Sequence, residues 1–284
     1  MATAVVATGS GGPENLSVVV REVPSPGAGE VTIEVRAAGV ISAVGEGATG
    51  PAGPLAVGDE VVAHSVRGGY ATEVTVAAGV VVPKPAGVSW EVAAGLLAAG
   101  GTAVHALALL NVREGDTLVV HGASGMVGFT AVQLAVAAGV KVIGTASESR
   151  HELLRRHNAV PVDYGDGLLD RLRTAAPSGV DRVLDAAGTD EAIEASLQLV
   201  AAPAHIVSAV ALGQAGTGIR LIGGGPGADP GTEIRAEAWR TLLPLAAQGR
   251  LEVPISRTYP LSEAAAAHEL VASGHPRGKV VLVT

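Results

Sequence analysis

A glycine-rich turn between an apolar strand and a helix is the strongest chemical signal in the sequence. Residues 118–120 form the strand, and the turn covers His121 to Gly128. A helix that begins where a strand ends directs unpaired N–H groups and the positive end of its dipole outward, where they can hold a diphosphate. Gly125 lets the backbone approach the phosphates, and Gly128 lets the helix pack closely. Ala123 replaces the first glycine of the G-x-G-x-x-G pattern, so the strand–turn–helix context carries this prediction.

The end of the following strand, at residues 141–147, bears on which dinucleotide would bind. An NAD site needs an Asp or Glu about 20 residues beyond the first glycine to hold both ribose hydroxyls, and Ala146 stands there. Ser147 can donate to a 2′-phosphate and Arg150 can add a charge-assisted bond, which predicts NADPH. Two alternatives stay open: Arg150 as a solvated charge at a helix start, and Glu148 as a ribose ligand that would permit NADH.

The sequence pattern changes at about residue 90, and the two patterns predict two domains of an α/β protein. Up to about residue 82, short β-branched runs broken by turn signals predict an antiparallel, barrel-like domain. From about residue 90, helical runs alternate with compact apolar strands, which predicts a doubly wound parallel sheet. After residue 254 the tail predicts a strand at 256–259, a helix at 262–273 and a strand at 279–283, returning to the first domain.

Composition excludes several classes of function. The 284 residues carry a net charge of −8 with a pI near 5.5, which argues against nucleic acid as a partner. The chain has no cysteine and its eight histidines do not cluster, so no metal site is predicted. No charged segment followed by an apolar run, the pattern of a signal peptide, is seen at residue 1, so none is expected, and no uninterrupted apolar run reaches the roughly 20 residues of a membrane span. The sequence therefore predicts a cytoplasmic protein with no membrane partner.

Several separated motifs, in a fixed order, resemble the zinc-independent quinone oxidoreductase branch of the medium-chain dehydrogenase/reductase superfamily. The resemblance covers nearly the whole chain. Besides the turn, it rests on residues 24–31 (PSPGAGEV), 57–61 (VGDEV), 68–71 (GGYA), 101–103 (GTA) and 275–281 (HPRGKVV).

The resemblance implies a GroES-like β-barrel domain at residues 1–92, completed by 254–284, and a Rossmann NADPH-binding domain at 93–253. It implies NADPH-dependent reduction of a small quinone or an activated C=C bond (an enone) by hydride transfer, without zinc. No catalytic side chain is assigned, because the hydride chemistry belongs to the cofactor. Residues 218–225, interpreted as a strand ending in three glycines, resemble the dimer-forming edge of the family, so a homodimer is expected.

The resemblance also implies a set of cofactor-binding residues. Lys279, in the tail motif, would reach the cofactor or else be a charge at a strand edge, and Tyr164 would otherwise be a surface ring. The implied residues are Thr102 on the nicotinamide side; Ala123, Ser124, Gly125, Met126 and Val127 at the pyrophosphate; Ser147, Arg150 and Tyr164 near the 2′-phosphate; Ala187, Gly188, Val210 and Ala211 beside the nicotinamide; and Lys279.

Two other functions use the same dinucleotide site. The first is an enoyl-thioester reductase of lipid or polyketide metabolism, which a basic rim for the carrier phosphate would favour. The second is a catalytically idle NADPH-binding module. His105, on the helix after Thr102, would face the cleft in a functional interpretation, but it is more typical of a core histidine. Substrate identity does not follow from the sequence.

One family segment is absent at the join between Val40 and Ile41. In related sequences some tens of residues follow the counterpart of Val40, beginning with Asn and carrying a loop that covers the substrate. Either this protein lacks the loop, or residues are missing from the sequence as printed; the clean match of both flanks favours missing residues. A real loss would leave the pocket open to water and without any proton donor on that loop.

Overall fold

The computed structural model describes residues 1–274 and 276–284; His275, the first residue of the tail motif, lies outside the described residues. The described chain divides into two compact units. Unit 1 comprises Met1–Ala98 and Trp239–Thr284, and unit 2 comprises Ala99–Ala238. The domain bounds expected from the sequence, 1–92 with 254–284 and 93–253, stay a prediction.

The N-terminal part of unit 1 consists of short antiparallel strands. Five of the strands found in the described residues form one sheet in the order β8-β3-β4-β7-β9. Val31 and Ile33 of β3 are buried in one apolar cluster with Val61 and Val81. The strands are β1 (Ala2–Ala7), β2 (Leu16–Arg21), β3 (Glu30–Val35), β4 (Gly39–Val44), β5 (Thr49–Gly50), β6 (Gly53–Pro54), β7 (Glu60–Ala63), β8 (Glu73–Ala77) and β9 (Val81–Pro83).

The join between Val40 and Ile41 lies inside strand β4. Val40 pairs with Glu34 of β3 and with Glu60 of β7, and Ile41 pairs with Ile33. The Ile41 side chain is buried in the core of the sheet. The fold therefore accommodates the direct join as one continuous strand, and no residue between the two is needed to complete the sheet.

Unit 2 is built on a parallel sheet. Among the described residues six strands form it in the order β12-β11-β10-β13-β14-β15, and every neighbouring pair is parallel. Numbered along the chain, the strand order is 3-2-1-4-5-6, the Rossmann arrangement. All strands are parallel, but the order in which the chain adds them reverses between β10 and β13. The strands are β10 (Thr117–His121), β11 (Lys141–Thr145), β12 (Val160–Val162), β13 (Arg182–Asp185), β14 (Ile206–Ser208) and β15 (Arg220–Leu221).

Helices cover both faces of this sheet. Leu118 and Val120 of β10 point to a cluster with α1 and α2, whereas Val119 between them points to a cluster with α4 and α5. All three side chains are fully buried, which explains the unbroken apolar run in the sequence. The helices are α1 (Trp90–Leu110), α2 (Met126–Ala137), α3 (His151–Arg156), α4 (Leu168–Ala175), α5 (Asp190–Leu199) and α6 (Thr232–Glu237).

Helix α1 crosses the boundary between the units. By length and composition it would also suit a membrane span, but half of its most apolar 18-residue window is buried inside the structure. The buried core helix of a soluble protein meets the same criterion. The cytoplasmic location stays a prediction.

The tail of unit 1 follows the predicted order of strand, helix and strand. It contains α7 (Trp239–Ala247), β16 (Ile255–Pro260), α8 (Ala264–Ala272) and β17 (Lys279–Val283), and β16 pairs with β17 in parallel. Gly274 follows α8 with a φ of +76°, in the left-handed region expected after a helix.

The strand predicted at residues 218–225 is wrong in extent. Only β15 is extended, and Ile222 makes an isolated bridge with Asp229. Gly223 has a φ of +137°, which ends the strand before the remaining glycines. Strand β15 lies at one edge of the parallel sheet in the described chain.

Candidate functional site

The turn after β10 presents backbone groups at the start of α2. The chain turns at Gly122, with a φ of +68°, and enters α2 with Gly125 as N-cap. The Ala123 N–H donates to the Thr145 carbonyl at 3.0 Å, and the Gly125 N–H donates to the Gly122 carbonyl at 3.0 Å. The N-cap is glycine, so it has no side chain to cap α2. The first N–H groups of the helix can therefore bond to an acceptor outside it.

The glycines of this turn serve different purposes. A Cβ on Gly128 would lie 2.3 Å from the Gly122 carbonyl oxygen, so the packing of α2 requires glycine there. A Cβ on Gly122 would lie 2.9 Å from the Ala186 carbonyl oxygen, and the positive φ disfavours any other residue. Gly125 differs, because its φ is −78° and a Cβ would make only an ordinary contact at 3.4 Å. The fold therefore accepts a Cβ at Gly125 without a clash, and glycine at this position fits a ligand that approaches the backbone.

A buried carboxylate holds the turn after β13. Asp185 is fully buried at the carboxyl end of that strand, opposite the end of β10. Its Oδ1 accepts from the N–H groups of Ala187 and Gly188, both at 3.0 Å, and its Oδ2 accepts from Ser208 Oγ at 2.6 Å. The carboxylate thereby organises residues 186–188 and connects them to β14.

Ser208 holds the turn after β14 in the same way. Its fully buried Oγ accepts from the N–H groups of Val210 at 3.2 Å and Ala211 at 2.9 Å. The two turns touch, since a Cβ on Gly188 would lie 3.0 Å from Val210 Cγ2. The backbone N–H groups of the four residues predicted beside the nicotinamide are therefore occupied internally. A ligand there would meet carbonyl oxygens and side chains.

His121 is buried and neutral, and its hydrogen bonds connect the end of β10 to β11 and α5. Its Nε2 lies 3.1 Å from Ser196 Oγ and its Nδ1 lies 3.3 Å from Thr145 Oγ1. The Ser196 hydroxyl donates to a carbonyl in α5, so it accepts from Nε2–H, while Thr145 Oγ1 also accepts from the Gly122 N–H. Burial lowers the pKa of His121 to about 4, against an opposing effect of Asp185. His121 is therefore structural.

The residues predicted near the 2′-phosphate follow two adjacent strands, β11 and β12. Ser147 and Arg150 come after β11, where the Arg150 N–H donates to the Ser147 carbonyl at 2.8 Å. Tyr164 comes after β12 and is 60% exposed. His151 Nε2 lies 3.3 Å from Asp163 Oδ1, which joins the segments that follow the two strands. The fold thus places Ser147, Arg150 and Tyr164 after the carboxyl ends of two neighbouring strands.

The remaining predicted residues lie elsewhere. Thr102 is half-buried on α1, next to Ala103, which is fully buried in the core of unit 2. Lys279 belongs to unit 1, where it begins β17 and its side chain runs beside Gly95 of α1. The structure therefore groups the three turns in unit 2, whereas Lys279 lies in the other unit.

His105 proves to be a core residue. Arg235 Nε donates to its Nδ1 at 3.2 Å, and its Nε2 lies 3.4 Å from Asp229 Oδ1. Burial and the Arg235 charge lower the pKa of His105, and Asp229 opposes this. The ring is fully buried, and its contacts connect α1 to the segment that contains Asp229 and Arg235.

Sequence reasoning missed Asp185 and Ser208, as well as Thr145 and Ser196. Asp185 and Ser208 share one signal, since each is a polar residue at the carboxyl end of an apolar strand. In the described ranges, no three His, Asp or Glu side chains come close enough to hold a metal ion.

Comparisons with known proteins agree with this fold. A family model described as zinc-binding dehydrogenase matches residues 157–282. The synaptic vesicle membrane protein VAT-1 homolog of Mus musculus is 33% identical over 219 residues, which cover 65% of this chain and 53% of that protein. The chain thus spans about half the length of this curated relative. A mycocerosic acid synthase-like polyketide synthase of Mycobacterium tuberculosis is 32% identical over 272 residues, 86% of this chain and 12% of that protein.

Two solved structures match along their whole length. A mycobacterial quinone oxidoreductase is 27% identical with a TM-score of 0.81, and 100% of both chains is covered. A mycobacterial protein in complex with NADPH is 26% identical with a TM-score of 0.83, again over 100% of both chains. The predicted fold class, a GroES-like barrel domain with a Rossmann domain, is confirmed. The resemblance predicted from the sequence is confirmed, since the chain matches a zinc-binding dehydrogenase family model and shares its fold with quinone oxidoreductases of the medium-chain dehydrogenase/reductase superfamily.

Proposed function

We propose that this protein is an NADPH-dependent oxidoreductase that reduces a small quinone or an enone by zinc-independent hydride transfer. The observation that carries the proposal is the start of α2 at the switch point of the parallel sheet, with Gly125 as an N-cap whose glycine the packing does not require. The mycobacterial structure that contains NADPH has the same fold and supports the choice of cofactor.

Each predicted binding residue then has a proposed role. The N–H groups of Ser124, Met126 and Val127 would hold the pyrophosphate, because they lie at the positive end of the α2 dipole, while Ala123 and Gly125 would line it with their N–H groups bonded inside the turn. Ser147, Arg150 and Tyr164 would surround the 2′-phosphate. The turns at 187–188 and 210–211 would receive the nicotinamide, and Thr102 would contact the nicotinamide side of the cofactor. Lys279 is also proposed as a cofactor-binding residue.

The chemistry asks little of the side chains. NADPH, when bound, supplies the hydride. The residues of the chain hold the nicotinamide end against the acceptor carbon and restrict the access of water. No side chain is assigned as the proton donor. Water or a nearby donor would deliver the proton to the product.

The direct test follows NADPH absorbance with and without an acceptor such as 1,4-benzoquinone or 2-cyclohexen-1-one. We expect oxidation that depends on enzyme and acceptor, with NADPH preferred over NADH. Binding of NADPH without oxidation by any acceptor would reject the proposal and favour the catalytically idle module.

A second candidate is an enoyl-thioester reductase. The polyketide synthase relative favours it, because that alignment covers 86% of this chain. Crotonyl thioesters separate the two functions: this alternative requires a kcat/KM for the thioester above the values for benzoquinone and cyclohexenone.

We also propose a homodimer formed through the edge strand β15. The proposal rests on the resemblance of residues 218–225 to the dimer-forming edge of the family and on the place of β15 at the edge of the parallel sheet in the described residues. Light scattering coupled to size-exclusion chromatography gives the mass directly, and a monomer at micromolar concentration would contradict the proposal.

A further inference from the structure

We propose that Asp185 and Ser208, here called the Asp185–Ser208 clamp, are positioning residues for hydride transfer. They fix the two turns that would receive the nicotinamide, at residues 186–188 and 209–211. The inference rests on the proposed NADPH-dependent function, but its tests include measurements that do not require turnover.

The clamp is a closed set of hydrogen bonds. Asp185 accepts three, from the backbone of Ala187 and Gly188 and from the Ser208 hydroxyl. Ser208 Oγ donates its only proton to Asp185 and accepts from Val210 and Ala211. Five bonds thus define the direction in which both turns leave the sheet.

Packing of the sheet does not demand these polar groups. Leu184 and Val207, one residue earlier on the same strands, are fully buried apolar residues. A buried carboxylate costs desolvation free energy and is tolerated where its hydrogen bonds are complete. The hydrogen bonds of Asp185 therefore act to hold the two turns in place. Both turns have residues at the surface, since Ala187 and Gly188 are exposed and Val210 is 48% exposed.

The contact between the turns makes the clamp act on both together. With Gly188 against Val210, a displacement of one turn transmits to the other. Hydride transfer requires reacting atoms about 3–3.5 Å apart, so a small displacement of the nicotinamide surface lowers the rate. The pyrophosphate turn starts from β10 and does not use these five bonds. Loss of the clamp should therefore affect the nicotinamide end selectively.

The test compares Ser208→Ala and Asp185→Asn with Ser208→Thr, which retains a hydroxyl. Ser196→Ala is the matched control, because Ser196 is equally buried but bonds to His121 and α5 instead of the two turns. In the cofactor-free protein, we expect hydrogen exchange at the amides of residues 187, 188, 210 and 211 to accelerate in Ser208→Ala and to remain slow in Ser196→Ala.

Ligand binding and kinetics complete the test. For Ser208→Ala and Asp185→Asn we expect kcat to fall about tenfold or more and the deuterium isotope effect with 4-deuterated NADPH to change. The affinity for 2′,5′-ADP, which lacks the nicotinamide, should stay within about twofold of the wild-type value. Ser208→Thr should restore most of kcat.

Other results would overturn the clamp. Unchanged amide exchange would do so, as would a parallel loss of affinity for 2′,5′-ADP and NADPH, or an equal loss of kcat in Ser196→Ala. A wild-type protein that binds NADPH but oxidises it with no acceptor would instead reject the proposed function. The exchange and 2′,5′-ADP measurements would still decide the role of the clamp.

Discussion

Gly128 and the Gly122 carbonyl oxygen approach so closely that a Cβ on Gly128 would lie 2.3 Å from that oxygen. We expect Gly128→Ala to push α2 away from the turn, lower Tm by several degrees and weaken NADPH binding at least tenfold. Calorimetry and fluorescence titration measure the two effects. Gly79→Ala is the control, since a Cβ there has nothing within 4 Å and φ is ordinary. Wild-type affinity and Tm in Gly128→Ala would contradict this packing argument.

Gly125→Ala should separate binding from folding. The protein has room for a methyl group there, so Tm should remain within about 2 °C of the wild-type value. The methyl group would occupy the space where the pyrophosphate approaches the backbone, and we expect NADPH affinity to fall by about tenfold or more. Titration with 2′,5′-ADP and NADPH measures this. If Gly125→Ala binds NADPH normally, the phosphate site lies elsewhere.

Arg150 is predicted to select NADPH over NADH. Removing a charge-assisted bond to a phosphate costs about 1.5–3 kcal/mol, so Arg150→Ala should raise KM for NADPH by about tenfold or more and leave KM for NADH nearly unchanged. Arg155→Ala is the matched control, because Arg155 is exposed on α3 and its Glu152 partner lies 3.9 Å away. Equal effects on both cofactors would reject the assignment of Arg150. A gain of NADH use in Glu148→Ala would argue against Glu148 as a ribose ligand.

The buried His121 should make stability depend on pH. Its pKa in the folded protein is about 4, below the 6.5 of an unperturbed histidine, so the unfolded chain binds the proton more readily. The stabilisation is therefore complete above pH 6.5 and is lost as pH falls toward 4, by up to about 3 kcal/mol. His121→Gln keeps an amide that can bond to Ser196 but does not titrate. Urea unfolding from pH 7 to 4 should show a flatter profile for the variant, and identical slopes would count against this explanation.

Activity is expected to be independent of divalent metal. The chain offers no cysteine ligand, and hydride transfer to a quinone needs no Lewis acid. Dialysis against EDTA or 1,10-phenanthroline should leave kcat with benzoquinone unchanged. Metal analysis of the dialysed protein is the control, and a loss of activity that zinc restores would contradict the prediction.

The sequence by itself determined the elements of the Rossmann domain that depend on local patterns. The apolar strand 118–120, the turn at 121–128 and the helix that follows are visible because a strand buried on both faces must be apolar and a phosphate turn needs small residues. Short elements such as β12, with three residues and a central proline, escaped prediction, because so few residues carry no periodic pattern.

Only the tertiary structure decided how the strand ends are connected. Asp185 and Ser208 are separated by 23 positions in the sequence, and their bond exists because β13 and β14 are parallel neighbours that end at the same edge. Likewise, the interpretation of His105 required Asp229 and Arg235, more than 120 residues away. Hydrogen bonds between distant buried side chains leave no periodic signal, so the folded sheet alone reveals which polar residues support the site.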